Sequence, residues 1–290
     1  MVKKAILLCG GTGSRMFPST LATNKHLMPV YDKPMFFYPL SVLMLSGIKD
    51  FLIVTNPGQR KKYYELLSPL KDIGIKIEFA EQKKPGGIPE ALIIGEKFIG
   101  ESSVALILGD NFFYGSMLTP LIKKSFLRNK GSNIYLYPSK NTSAYGVVEL
   151  NKKGKIKKII EKPKFTKSNL IITGLYVFDK NASKYAKKLK PSKRNELEIV
   201  DLIKMYNRKN LLKLIKLGRG TAWLDVGNYN DFLSASNYVK NIEDRQSYKI
   251  GCLEEIAYNN KWISKINIKN RIKKYKNSKY SEYLRDIIKN

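Results

Sequence analysis

The chain has little cysteine, little histidine and few acidic residues. Its 290 residues hold two Cys and one His. Cys9 and Cys252 stand far apart with no CxxC pair, which excludes a disulfide framework and a thiolate zinc cage. With His26 the only imidazole, a multi-histidine metal site is excluded, and so is most Ser/His/Asp chemistry unless His26 is a lone base. No apolar run approaches the ~18 residues that a spanning helix needs. The start, Met1-Val2-Lys3-Lys4 and then Ala5 to Cys9, has the outline of a leader. Its apolar run is about half the usual minimum and ends in glycines, so the expected protein is soluble and cytoplasmic.

Acidic residues number 24 against 53 basic ones, a formal net charge of +29 and a pI near 9.9. Such a balance suits nucleic acid, an anionic membrane or an acidic small substrate. Only 9 of the basic residues are Arg, however, and the lysines are spread through almost every segment. Readers of DNA or RNA lean on clustered Arg, and no RNP, KH, zinc-finger or helix-turn-helix pattern is present. The abundance of Lys, Ile and Asn together is what an A+T-rich coding bias puts on solvated faces. Neither a specific nucleic acid nor a membrane is an expected partner. An apolar fraction of 43% with 20 Gly and 12 Pro is that of a globular chain and excludes collagen and low-complexity disorder.

The apolar runs are short and punctuated. Ala5 to Cys9, Phe51 to Thr55, Ile75 to Ala80 and Val104 to Leu108 lack polar alternation and read as buried strands of a parallel sheet. Between them, Pro34 to Ser46, Gln59 to Leu70 and Pro89 to Phe98 fit helices. The first of these has Asp32 as a possible cap, a possible kink at Pro39 and Gly47 as its stop. This alternation predicts an α/β fold with a doubly wound sheet. Beyond about residue 130 strands dominate, at Ile134 to Tyr137, Val147 to Leu150, Ile156 to Glu161 and Ile171 to Phe178, with a hairpin turn at Asn151 to Gly154. A helix near Glu196 to Arg208, a strand at Leu211 to Leu217 and a polar helical stretch from Tyr229 follow. One domain of two fused halves with a helical C-terminal extension is the expected organisation.

The segment Gly10-Gly11-Thr12-Gly13-Ser14-Arg15 leaves the first strand directly. Its glycines let backbone N–H groups approach a polyphosphate. Neither common nucleotide motif fits, because Met16 stands where a dinucleotide fingerprint has its third Gly, and there is no Gly-Lys-Ser/Thr. Instead Arg15 closes the loop and Lys25 follows ten residues later.

Gly10 to Pro18, Lys25, Pro29 and Tyr31-Asp32-Lys33-Pro34-Met35 together resemble the sugar-phosphate nucleotidyltransferase family. Six further blocks agree in order: Leu108 to Gly115, Tyr145 to Glu149, Glu161-Lys162-Pro163, Thr173 to Tyr176, Glu196 to Ile199 and Ala222 to Asp225. The resemblance runs to about Ala257. It implies a Rossmann-like nucleotidyltransferase fold with a central mixed, mostly parallel sheet. The nucleotidyltransferase domain would span 1–240, with a nucleotide-binding half at about 1–130 and a sugar-binding half at about 131–227, and the helical extension would occupy 241–290. The implied reaction is in-line attack by the phosphate oxygen of glucose 1-phosphate on the α-phosphorus of dTTP, giving dTDP-glucose and pyrophosphate with Mg²⁺ present. A homotetramer is implied as well.

The same resemblance distributes roles. Arg15 and Lys25 are expected on the triphosphate, where a guanidinium offers bidentate donors. Gly10, Gly11, Thr12 and Gly13 would bind the nucleotide phosphates, and Gln82 and Gly87 its base. Asp110 and Asp225 would hold Mg²⁺, a cation that prefers hard oxygen ligands. Lys162 would hold the sugar phosphate and Glu161 the sugar hydroxyls, while Tyr145, Gly146, Gly174, Tyr176 and Trp223 line the sugar pocket. His26 is expected beside the site rather than as a base.

The sequence departs from the family pattern in two places. Gly86 and Glu90 stand where Asp and Gln are usual, which bears on thymine against uracil and keeps a uridylyltransferase or another sugar-1-phosphate specificity as the alternative. At the stretch implied to bind a regulatory dTDP-sugar, to which Tyr114, Gly115, Arg219, Glu255 and Ile256 also belong, Asn259 replaces an arginine. Feedback by dTDP-rhamnose is therefore expected to be weak.

Overall fold

The computed structural model describes residues 1–127 and 129–289. Strand Lys4–Cys9 lies at the centre of a nine-stranded sheet, parallel to Asp50–Thr55 on one side and to Val104–Leu108 on the other. Its side chains alternate between two cores. Ala5 and Leu7 face one with Ile53 and Ile107, and Ile6 faces the other with Leu52, Val54 and Leu106. Apolar cover on both faces is why these strands read as unbroken hydrophobic runs. Lys76–Glu81 departs from that expectation. It is the parallel edge strand beside Asp50–Thr55, and its residues are half-buried or exposed because, among the described residues, nothing pairs with its outer side.

On the other side of Val104–Leu108 the sheet turns antiparallel. Leu170–Phe178 pairs antiparallel with Val104–Leu108, Ser132–Pro138 and Gly146–Leu150. Gly146–Leu150 forms a hairpin with Ile156–Glu161, closed by Asn151, whose Oδ1 accepts from the backbone N–H groups of Lys153 and Lys155. Leu212–Lys216 adds a parallel strand to Ser132–Pro138. The sheet is thus mixed, and parallel throughout its N-terminal part.

Several helices differ in extent from the pattern reading. The first long one is Phe37–Leu45, and Asp32 does not cap it, because Asp32 is engaged by Lys33 and Lys249 instead. The helix runs through Pro39, whose missing N–H falls in the first turn, where no intrahelical partner exists. Arg60–Leu67 continues as a 3₁₀ turn, Ser68–Leu70. The Pro89 to Phe98 segment divides at Gly95 into Glu90–Ile94 and Glu96–Ile99; a Cβ on Gly95 would sit 2.7 Å from Ile6 Cδ1. Helix Ile199–Arg208 starts three residues later than its apolar spacing suggests. Leu118–Leu127 and the short strands Asn111–Tyr114 and Ala222–Asp225 are additional to the expected elements.

After Tyr229 the chain is helical, in Tyr229–Gln246, Leu253–Asn259, Lys265–Tyr275 and Lys279–Ile287. Buried Glu254 ties the last three together by accepting from the hydroxyls of Tyr275 (2.9 Å) and Tyr280 (2.6 Å). Among the described residues no helix is long and apolar enough to cross a membrane.

Candidate active site

A cleft of about 700 Å³ opens at the carboxyl ends of the central strands, where open α/β sheets place their ligands. Gly10, Gly11, Arg15, Gln82, Gly87, Tyr145, Gly146, Glu161, Lys162, Gly174, Tyr176, Trp223 and Asp225 all line it. Thr12 and Lys25 line a smaller adjoining cavity with Gly11. Asp110 lines neither; it is joined to Lys25 by a salt bridge and to Asp225 through Asn111.

The loop after the first strand is shaped by glycine where its φ angles demand it. Gly11 and Gly13 have φ of 105° and 64°, in the region that side chains disfavour. Asn56 clamps the Gly11 peptide from both sides, accepting from its N–H at 2.9 Å and donating to its carbonyl at 2.7 Å. Thr20 Oγ1 donates to the Gly13 carbonyl at 2.8 Å. Arg15, at the loop's exit, is exposed and makes no salt bridge among the described residues. Its guanidinium lies over the Gly227 backbone, where a Cβ would come within 2.7 Å of Nη2.

The paired carboxylates are built by the small two-stranded sheet. Asn111–Tyr114 pairs antiparallel with Ala222–Asp225 in a register that sets Asn111 opposite Asp225, and Val226 N–H donates to the Asp110 carbonyl at 2.9 Å. Asn111 is buried and saturated. Its Nδ2 donates to Asp110 Oδ1 (3.0 Å) and Asp225 Oδ1 (3.4 Å), while its Oδ1 accepts from Gly174 N–H (2.9 Å) and Trp223 Nε1–H (2.8 Å). The two carboxylates consequently share one donor. Burial resists ionisation of Asp110, but the Lys25 ammonium outweighs it and holds the carboxyl ionised. At Asp225 burial and then the Asp110 charge push proton affinity up. Two crowded, desolvated carboxylates form a hard-oxygen donor set that a divalent cation would relieve of its repulsion.

Asn111 stands inside the Leu108 to Gly115 block, yet the sequence singled out only its neighbour Asp110; its role depends on the pairing with Ala222–Asp225. Asn111→Ala strands the buried donors of Gly174 and Trp223, which at about 1–3 kcal/mol each predicts a destabilisation of about 2–6 kcal/mol in urea unfolding.

His26 is buried, its Nδ1 lies 2.7 Å from Asn24 Oδ1, and Asn24 in turn donates to the Cys9 carbonyl. Burial and then Lys25 lower the pKa of His26 to about 3, so the imidazole is neutral and donates through Nδ1. It braces the Lys25 turn and does not face the cleft.

At the far end, Glu161 closes strand Ile156–Glu161, and Lys162 takes a φ of 42° with its N–H donating to Tyr145 O at 3.0 Å. A non-glycine residue in that region marks a conformation imposed by its surroundings. Burial and then the Glu198 charge raise the Glu161 carboxyl's affinity for protons. Arg194 approaches from the opposite wall, 2.8 Å from Glu198 and 3.6 Å from Glu161. Arg194 and Glu198 line the cleft but were not expected there, although Glu198 lies in a recognised block.

The floor is aromatic and close-packed. Trp223 meets Tyr145 at 5.2 Å and Tyr137 at 5.7 Å between ring centroids. With its indole N–H committed to Asn111, Trp223 offers the cleft an apolar face only. Tyr176 is 3% exposed and stacks on Phe178, so most of it belongs to the core. The ladder between Leu170–Phe178 and Ser132–Pro138 shifts register between Ile172 and Tyr176, and it is there that Gly174 turns its N–H to Asn111. Gly146 and Gly174 leave no room for a Cβ. It would meet Val200 Cγ2 at 2.8 Å in the first case and Asn111 in the second.

The nucleotidyl transferase family model matches residues 4–242. The chain is 43% identical over 286 residues to the glucose-1-phosphate thymidylyltransferase of Neisseria meningitidis serogroup A, covering 99% of both chains. It is 39% identical over 285 residues to the enzyme of that name from Mycobacterium tuberculosis, covering 98% of this chain and 99% of the other. Among solved structures, a Bacillus anthracis protein crystallised with a sucrose, described as a candidate glucose-1-phosphate thymidylyltransferase, superimposes with a TM-score of 0.76 at 33% identity, covering 82% of this chain and 96% of that one. A UDP-glucose pyrophosphorylase complexed with UDP-glucose shares the fold, with a TM-score of 0.71 at 24% identity, covering 83% of this chain and 99% of the other. A chain matched over most of its length by the family model, and at such identity by these relatives, belongs to the nucleotidyl transferase family.

Proposed function

We propose that this chain is a glucose-1-phosphate thymidylyltransferase, joining dTTP and glucose 1-phosphate to give dTDP-glucose and pyrophosphate. The observation that carries the reading is that Asn111 holds Asp110 and Asp225 on one donor, with Asp225 in the same cleft as Gly10, Gly11, Arg15, Glu161 and Lys162. One end of the cleft suits a triphosphate and the other a sugar phosphate, with the charge-bearing centre between them.

In this reading the glycine loop's N–H groups, Arg15 and Lys25 take the triphosphate, and Gln82 and Gly87 take the base. Lys162 takes the phosphate of the incoming sugar, and Glu161 its hydroxyls, against walls made by Tyr145, Gly146, Gly174, Tyr176 and Trp223. The chain would contribute positioning and charge neutralisation, as direct phosphoryl transfer requires, with no covalent protein nucleophile. Asp110 and Asp225 would hold a divalent cation, Mg²⁺ in our reading, which when bound neutralises phosphate charge. The nucleotide half is read at about 1–130, the sugar half at about 131–227 and the extension at 241–290, with helix Tyr229–Gln246 running across the start of the extension, and the assembly is read as a cytoplasmic homotetramer. Release of pyrophosphate that requires both dTTP and glucose 1-phosphate tests the proposal, and exchange of labelled pyrophosphate into dTTP without sugar would contradict direct transfer.

Lys162→Ala raises the KM for glucose 1-phosphate more than that for dTTP, because the lost charge lies at the sugar end; steady-state kinetics with each substrate varied give the order, and the reverse order would reassign Lys162 to the triphosphate.

A second cleft, of about 360 Å³, is lined by Tyr114, Gly115, Glu255, Ile256 and Asn259, with Lys123 and Lys249 beside them. Lys249 is already paired with Asp32 and Glu243. Asn259→Arg is expected to tighten inhibition by a dTDP-sugar about 10- to 150-fold, the worth of one charged hydrogen bond to phosphate. Inhibition of the wild type at low micromolar dTDP-rhamnose, unaltered in the mutant, would contradict this.

A further inference from the structure

The base end of the cleft contains the two positions at which the chain leaves the family pattern, and they meet in space. Gln82 is 5% exposed, and its backbone N–H donates to Thr55 O at 2.8 Å. Its side-chain Nε2 donates to Glu90 Oε2 at 2.6 Å and to Gly87 O at 3.1 Å. A carboxylate and a carbonyl only accept, so both amide hydrogens are committed, and turning the amide over would press Oε1 against two acceptors. Oε1 is left on the side of Gly10, 2.9 Å from where a Cβ would stand there. Gln82 therefore presents an acceptor, and no donor, to whatever occupies the base end.

Glu90 opens helix Glu90–Ile94, and its Oε2 also accepts from Gly86 N–H at 3.2 Å. Any side chain at position 86 would overlap that carboxylate. Gly86 and Glu90 are thus a matched pair, the small residue making room for the acid. The loop between them is held by Leu197, whose N–H donates to Gly86 O at 2.9 Å and whose backbone would collide with a Cβ on Gly87.

We propose that Glu90 is a positioning residue for base selection. By fixing the Gln82 amide it restricts the cleft to bases that offer an N–H where Gln82 accepts, the imide of thymine or uracil, and rejects cytosine, whose N3 is an acceptor. Thymine and uracil present the same imide, so Glu90 does not separate dTTP from UTP. The inference rests on the nucleotide reading of this cleft.

The test compares kcat/KM for dTTP and dCTP in the wild type, Glu90→Leu and Gly86→Ala, with glucose 1-phosphate as second substrate. Glu90→Leu keeps the volume but removes the acceptor, leaving the Gln82 amide held by Gly87 O alone; Gly86→Ala displaces the carboxylate from the other side. Both are expected to lower the dTTP:dCTP ratio about 10- to 100-fold, through a higher KM for dTTP and new use of dCTP, with the KM for glucose 1-phosphate unmoved. An unchanged ratio in either folded variant, or an equal fall for both nucleotides, overturns the proposal while leaving the thymidylyltransferase reading intact. A wild type that turns over neither dTTP nor UTP overturns both.

Discussion

Arg15→Ala is expected to lower kcat by roughly 10²-fold or more while changing the KM for dTTP much less, because in the proposed reading its guanidinium faces developing charge, where a donor acts most strongly in the transition state. The structure makes this a clean experiment. Arg15 is exposed, pairs with no described carboxylate and rests on a glycine backbone, so its removal opens no core cavity and leaves the melting temperature nearly unchanged. Arg15→Lys keeps one charge but loses the planar fork, and it recovers little of the rate. Steady-state kinetics on the three proteins decide the matter. Unchanged turnover in Arg15→Ala would assign the role to another cation.

The carboxylate pair gives a second large effect, in which the two residues part company. In the proposed reading Asp110→Asn and Asp225→Asn are each expected to lower activity on the order of 10²-fold or more and to raise the metal concentration needed, since an amide is a poorer ligand for a hard cation. Without metal their stabilities diverge. Asp225 is crowded by the Asp110 charge in a desolvated site, so Asp225→Asn removes a repulsion and melts at or above the wild-type temperature. Asp110→Asn leaves the largely buried Lys25 without its counter-ion and melts lower. Thermal melts in chelator, paired with metal titrations of activity, check both. Wild-type metal dependence in the two mutants would move the site elsewhere.

The strands around Lys4–Cys9 were legible because burial on both faces leaves a continuous apolar signature, and the glycine loop because its conformation admits few other residues. The edge strand Lys76–Glu81 was legible as a strand but not as an edge, since pairing partners are not written locally. Asp110, Asp225, Arg15 and Lys162 stand out in the sequence only through the ordered blocks, which is where the proposed reading takes their roles from. Nothing local in Asp225 announces that a four-residue strand will carry it to Asn111. Asn111 escaped for the same reason, since its partners Gly174, Trp223 and Asp225 lie between 63 and 114 residues away in the chain, and Arg194 and Glu198 because what they face is Glu161 on another element. Asp32 misled as a cap because a short polar side chain before a helix looks the same whether it binds the helix N-terminus or a lysine from the far end of the chain. Gly86 and Glu90, read singly, were departures from a pattern; their overlap in space makes them one compensated change.

Thymidylyl transfer is measured most directly as the formation of nucleotide sugar and pyrophosphate by the purified protein. dTTP and UTP are each offered with glucose 1-phosphate and with other hexose 1-phosphates, in the presence of Mg²⁺. Equimolar dTDP-glucose and pyrophosphate are expected, with dTTP and glucose 1-phosphate as the best pair and no product when Mg²⁺ is chelated. Folded protein that forms no product from any of these combinations would contradict thymidylyl transfer.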